Sequence, residues 1–138
     1  MLNSIRQIFR RASAPAKLAT VPEGERYYVV GDVHGRLDLF DALRRAIETH
    51  DAASPASRST VILLGDLVDR GPQSAGVIAA AREWQSRRPL RCLAGNHEEM
   101  FLDSFEDKDV LRHFLKHGGR ETIMSYGISR KDLDALTL

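Results

Sequence analysis

Three short apolar runs each end in a glycine followed directly by a residue able to bind a cation: Val29-Val30-Gly31-Asp32, Leu63-Leu64-Gly65-Asp66 and Leu93-Ala94-Gly95-Asn96. Glycine lets the backbone turn sharply and approach a bound group, and in an open α/β sheet that crevice lies beyond the carboxyl ends of the strands. The three oxygen-bearing side chains are therefore candidates for one site. Each turn carries more chemistry: His34 follows Asp32 by two, Asp69-Arg70-Gly71 follows Asp66, and His97-Glu98 follows Asn96. Carboxylate, amide and imidazole donors without a thiol suit Mn, Fe or Zn. Asp32 and His34, two apart in extended chain, can point to the same side and grip one cation.

Taken singly, Gly-Asp or Gly-Asn after a strand is an ordinary turn whose short polar side chain bonds the local backbone. Three in order, each with its histidine or Asp-Arg companion, argue for a shared site. Glu98 and Glu99 carry less, since acids in the first turn of a helix complement its dipole, and neither is read as a ligand. A P-loop or dinucleotide-binding turn does not fit, because Gly31, Gly35 and Gly65 match neither glycine spacing.

Together these segments resemble the calcineurin-like metallophosphoesterases, most closely the phosphoprotein phosphatase branch with its bacterial members. The resemblance implies that Asp32 and His34 hold a first metal, Asp66 bridges two metals, and Asn96 holds the second metal and the phosphate. It further implies that His97 gives a proton to the leaving oxygen, steadied by Asp69, while Arg70 clamps phosphate. The implied activity is phosphoester hydrolysis by a metal-bridging hydroxide, with two divalent ions, Mn expected and Fe or Zn possible. A serine/threonine phosphoprotein is the leading substrate and a dinucleoside polyphosphate the alternative. The implied fold is the amino-terminal half of an αββα sandwich, arranged βαβαβα with mostly parallel strands. Family members complete the second metal site with two later histidines and add another phosphate-binding arginine, whereas this sequence has no histidine after His117. A catalytically incomplete fragment or scaffold is therefore the rival reading, and one sheet face is expected to lack its apolar partner, favouring poor stability or self-association.

The chemistry of these side chains agrees with those roles. Two cations about 3.5–4 Å apart lower the pKa of a shared water and stabilise in-line displacement. Guanidinium is a planar, permanently charged fork for phosphate oxygens, which suits Arg70. A histidine acting as an acid must be cationic when substrate binds, and a carboxylate such as Asp69 favours that state.

The elements that position these residues follow from periodicity. A strand is expected from Tyr27 to Val30, then a helix from Leu37 to His50 with Leu39, Leu43, Ala46 and Ile47 as its apolar face. After a loop over Asp51 to Ser59, a second strand runs from Thr60 to Leu64 and a second helix from Gln73 to Arg87. Pro89 opens the third strand. The motif spacing of about 30 residues is that of a βαβ unit and implies parallel strands. Beyond the third motif Met100, Phe101, Phe105, Val110, Leu111, Phe114 and Leu115 recur at helical intervals as core, and another helix begins near Ser129. His113 and His117 are spaced to share a metal on a helix, although Lys116 to Gly119 also reads as a helix end. The segment Gly119-Arg120-Glu121-Thr122 through Tyr126-Gly127 resembles one that helps shape the substrate side of the bacterial phosphatases.

Composition bounds the rest. With 138 residues, 43% of them hydrophobic, the chain is long enough for one domain with a core, and a net charge of +1 gives no general pull on nucleic acid. A single cysteine excludes an internal disulfide framework, and Cys92 is expected as a buried strand thiol. Residues 1–25 read as a flexible basic tail and 26–138 as the metallophosphoesterase domain, apparently truncated at its carboxyl end. In the tail, Leu2, Ile5, Ile8 and Phe9 beside Arg6, Arg10 and Arg11 offer weak contact with an anionic membrane surface. No transmembrane segment is expected, and the cytoplasm is the expected compartment. Arg36 is a candidate phosphate contact, while Arg87 and Arg88 are expected to lie exposed at a helix end.

Overall fold

The structure is a computed structural model in which residues 19–54 and 58–136 are described. The apolar and basic stripe of residues 2–11 lies outside them. Three parallel strands, β1 (Glu25–Val30), β2 (Arg58–Leu63) and β3 (Leu90–Cys92), form one sheet in that order. Parallel neighbours need a crossover, and two helices supply it: α1 (Leu37–Ala53) between β1 and β2, and α2 (Ser74–Gln85) between β2 and β3. Both strand-to-helix order and parallel pairing agree with the expectation. The helix-rich remainder comprises α3 (Asn96–Asp103), α4 (Lys108–Phe114), a π turn (Leu115–Gly119), α5 (Arg120–Ser125) and α6 (Arg130–Leu136).

One sheet face buries the main core. Val30, Val61, Leu63 and Leu90 alternate inward against Phe40 and Ile47 of α1 and Val77, Ala81 and Trp84 of α2. The opposite face carries Tyr27 and Val29, the latter 58% exposed, and no described element covers it. Cys92, in register with Leu63 at the carboxyl end of β3, is exposed and not buried as expected: only Leu90 of this short strand is buried. The half-covered thiol is pushed above its usual pKa by partial desolvation and then by the Glu98 carboxylate.

The buried stripe of α1 also differs from expectation. Phe40 and Ile47 are inside, whereas Leu39, Leu43 and Ala46 are exposed. The stripe runs Leu37, Phe40, Arg44, Ile47, with the Arg44 guanidinium 5.8 Å from both the Phe40 and the Trp84 ring centroids. An arginine stem thus fills a position that periodicity alone assigns to an apolar residue. In the carboxyl-terminal helices, Phe114, Leu115 and Leu133 form a second core with Met100, Phe101, Leu111 and Ile123. Phe105, expected there, is 71% exposed and only flanks Phe101.

At the amino ends of the strands, one carboxylate ties the layers together. Asp51, in the last turn of α1, accepts from Arg26 and Tyr28 of β1, from Ser59 of β2 and from Arg88 before β3. Arg88 is therefore nearly enclosed, over the Tyr28 and Trp84 rings, and not exposed as expected; Arg87 is exposed and paired with Glu83. The Ser59 hydroxyl, then Arg26 and Arg88, hold the Asp51 carboxyl below its usual range against the opposing effect of burial. A lowered carboxyl pKa adds stability that is present above the unfolded value, about 3.9, and lost as pH falls through the folded one. Asp51→Asn is expected to cost about 1–3 kcal/mol at neutral pH in urea unfolding. Below about pH 4 its stability will fall less steeply with acid than that of the parent protein.

Candidate metal and phosphate site

Each strand ends in a loop, and the three loops are sewn together through their backbones. The Asp66 carbonyl accepts from the amides of Val33 and His34, both at 3.0 Å, and the Leu67 carbonyl from Gly35 at 2.8 Å. On the other side, the Glu98 carboxylate accepts from the amides of Asp66 (2.7 Å), Leu67 (2.8 Å), Val68 (3.2 Å) and Gly95 (2.8 Å). Glu98 sits in the first turn of α3 and reaches back, so the acid read as a dipole partner in fact holds the second loop to the third. Gly65, at φ +101°, faces Gly95 so closely that a Cβ on either would collide with backbone of the other loop. Sequence signalled Glu98 only as an acid three residues into a helix.

This packing forces an unusual backbone. Four non-glycine residues have left-handed φ: His34 (46°), Asp66 (52°), Asp69 (70°) and Arg70 (66°). Each costs on the order of 1 kcal/mol or more, and such residues persist where surroundings over-determine them, typically at functional sites. All four lie in the loops that carry the expected site residues.

The geometry gathers Asp32, His34 and Asp66, with one donor atom from each within 4.8 Å of the others. His34 Nδ1 faces the Val68 carbonyl at 2.8 Å, so Nδ1 carries the proton and Nε2 presents a lone pair. That Nε2 is buried without a hydrogen-bond partner and lies 3.6 Å from Asp32 Oδ2. A lone pair facing carboxylates is unfavourable unless a cation stands between them, so this donor set fits a divalent ion. Asp66 Oδ1 accepts from the His97 amide at 3.1 Å. Asn96 is exposed and stands between Gly95 and His97, both of which touch Asp66.

Beside the cluster, His97 is 4% exposed and its ring meets His34 edge to face at 4.8 Å. Its Nδ1 lies 2.7 Å from Oδ2 of the fully buried Asp69, and its Nε2 lies 2.9 Å from Nη2 of Arg70. Guanidinium only donates, so Nε2 accepts and His97 is the neutral Nδ1–H form in this arrangement. The expected cationic acid therefore requires Arg70, which is exposed, to leave Nε2. Arg36 is paired through both ends of its fork with Asp38, whose carboxyl it draws down to about 2. The rings of His113 and His117 lie tilted at 34° with centroids 3.9 Å apart, and His117 donates to the His113 carbonyl, but no third donor joins them among the described residues.

Removing the Glu98 carboxylate tests how much it positions. Glu98→Ala leaves four amides without their acceptor and is expected to cost about 3 kcal/mol in urea unfolding. Mn²⁺ titration calorimetry should show about 10- to 100-fold weaker binding as Asp66 loses its fixed position.

A family model described as calcineurin-like phosphoesterase matches residues 25–135. Among curated proteins, the chain is 51% identical over 110 residues to a symmetrical bis(5'-nucleosyl)-tetraphosphatase of Paracidovorax citrulli, covering 79% of this chain and 34% of that protein. It is 36% identical over 78 residues to serine/threonine-protein phosphatase 1 of Salmonella typhimurium, covering 56% and 32%. It is also 32% identical over 87 residues to a zinc-dependent endopolyphosphatase of Saccharomyces cerevisiae, covering 62% and 24%. The chain thus spans about a third or less of the length of these relatives. With loops, donor set and histidine–carboxylate pair all in the matched region, the chain belongs to the calcineurin-like phosphoesterase family.

Proposed function

We propose that the site hydrolyses phosphate monoesters with divalent metal, Mn²⁺ in the first instance, and that a serine/threonine phosphoprotein is its substrate. The observation that carries this reading is the orphaned His34 Nε2 facing Asp32 and Asp66, with a second histidine on a buried carboxylate alongside. Asp32, His34 and Asp66 would hold one cation, and Asp66 with Asn96 offers the start of a second position. Bound cations would supply a hydroxide nucleophile and neutralise phosphate charge.

The chain's own groups do the remainder. Arg70, once drawn from His97 to phosphate oxygens, orients the ester with its planar fork. Nε2 of His97 is then free to take up a proton and pass it to the departing oxygen, while Asp69 on Nδ1 stabilises the resulting imidazolium. A serine alkoxide is a poor leaving group and needs that proton. The open setting, with Asp32 two-thirds exposed and Asn96 exposed, suits an ester presented on a protein surface. A dinucleoside polyphosphate is the second reading, favoured by the 51% identity to a bis(5'-nucleosyl)-tetraphosphatase.

Phosphate release with Mn²⁺ from a phosphoserine peptide, a dinucleoside tetraphosphate and p-nitrophenyl phosphate is the test. Hydrolysis is expected, with the peptide preferred and Asp66→Asn inactive. His97→Ala should lower peptide turnover by about 10²- to 10⁴-fold yet spare p-nitrophenyl phosphate, whose leaving group departs without a proton. No release from any of the three overturns the proposal, and preference for the tetraphosphate moves it to the second reading.

A further inference from the structure

The buried hydroxyls behind the His97–Asp69 pair have no part in the roles assigned so far. Thr122, in α5, is fully buried, as are Asp69 and Ser74 at the start of α2. Its Oγ1 lies 2.6 Å from Asp69 Oδ1, 2.8 Å from the Asp69 amide and 3.0 Å from Ser74 Oγ. The Asp69 amide also reaches Ser74 Oγ at 3.1 Å.

A hydroxyl has one proton, and a carboxylate has none to give. The Thr122 proton must therefore go to Asp69 Oδ1, the Asp69 amide must donate to both hydroxyl oxygens, and Ser74 must donate to Thr122. Every proton in the cluster is assigned. Asp69 then has Oδ1 committed to Thr122 and Oδ2 to His97 Nδ1, so its carboxylate plane cannot turn without stranding an oxygen in a dry interior.

The same segment grips the strained backbone. The Arg70 amide donates to the Gly118 carbonyl at 3.1 Å, and a Cβ on Gly118, at φ +103°, would stand 2.5 Å from that amide nitrogen. The Ala75 amide is bonded to Ser125 Oγ at 2.9 Å, closing the contact between α2 and α5. Residues 118–125 thus contact Asp69, Arg70 and Ala75 at once.

We propose that Thr122 is a positioning residue for proton transfer: by fixing the Asp69 carboxylate it fixes the tautomer and ring orientation of His97. Ser74 orients the Thr122 hydroxyl. The inference rests on the reading of His97 as the acid in phosphoester hydrolysis.

Thr122→Val removes the hydroxyl and keeps the shape, while Thr122→Ser keeps the hydroxyl. In the metal-free protein labelled with ¹⁵N-histidine, the parent and T122S should show a slowly exchanging His97 Nδ1–H bonded to carboxylate. T122V should lose that signal or show both tautomers. With Mn²⁺, T122V should lower kcat on the phosphoserine peptide by about 10- to 100-fold, with KM within about twofold and p-nitrophenyl phosphate turnover little changed. T122S should recover most of the peptide activity. If T122V does not fold, T122C, whose thiol is a weak donor, decides by the same two readouts. A folded variant with an unaltered His97 signal, or with equal losses on both substrates, overturns the proposal. A parent protein that releases no phosphate from either substrate instead overturns the functional reading, and the His97 signal still decides the role of Thr122.

Discussion

One carboxylate, that of Glu98, meets the backbone needs of the loop on which everything else rests. Residues 65–70 leave β2 in a conformation that cannot satisfy its own amides, and three of them donate to Glu98 along with Gly95 of the next loop. With the Asp66 carbonyl in turn taking two amides from the first loop, the strand ends are fixed relative to one another to within hydrogen-bond tolerance. Only then is it affordable for four bulky residues to sit at left-handed φ. The strain at His34, Asp66, Asp69 and Arg70 is balanced by bonds made elsewhere, which separates a prearranged site from a loop that merely contains the right residues.

Electrostatics divide the site in two. On the exposed side, the His34 lone pair and the Asp32 and Asp66 carboxylates face one another with no positive group among them, a destabilised arrangement that cation binding relieves. On the buried side, negative charge is fully met: Asp69 has Thr122 on one oxygen and His97 on the other. His97 joins the halves, edge to face with His34 and capped by Arg70. The unmet half is available to a ligand, and the satisfied half holds its geometry whether or not one is bound.

The order of elements was legible in the sequence because it depends on local spacing, and the candidate donors Asp32, His34 and Asp66 were legible by type and do lie together. Glycine at strand ends, β-branched runs and helical periodicity act within a few residues of one another, and so β1, β2, α1 and α2 fall close to their expected places. Misreadings arose where a residue's surroundings come from distant chain. Arg44 occupies a core-facing position of α1 only because the Phe40 and Trp84 rings lie beneath its stem. Cys92 and Phe105 look apolar enough for a core, but the short β3 and the packing of α3 leave them outside. Arg88 looks like a helix-end charge, yet three acceptors from α1 and β2 enclose it.

By itself the sequence determined which side chains are of a type suited to metal and phosphate, that three parallel strands would carry their loops, and which family pattern they resemble. Only the tertiary structure decided how they act together: that Glu98 is a brace, that Arg70 rests on His97, and that Thr122 and Ser74 stand behind Asp69. Side-chain type and short-range spacing are written into the chain, whereas hydrogen bonds between residues 27 to 53 positions apart depend on which loops the fold brings within bonding distance of each other.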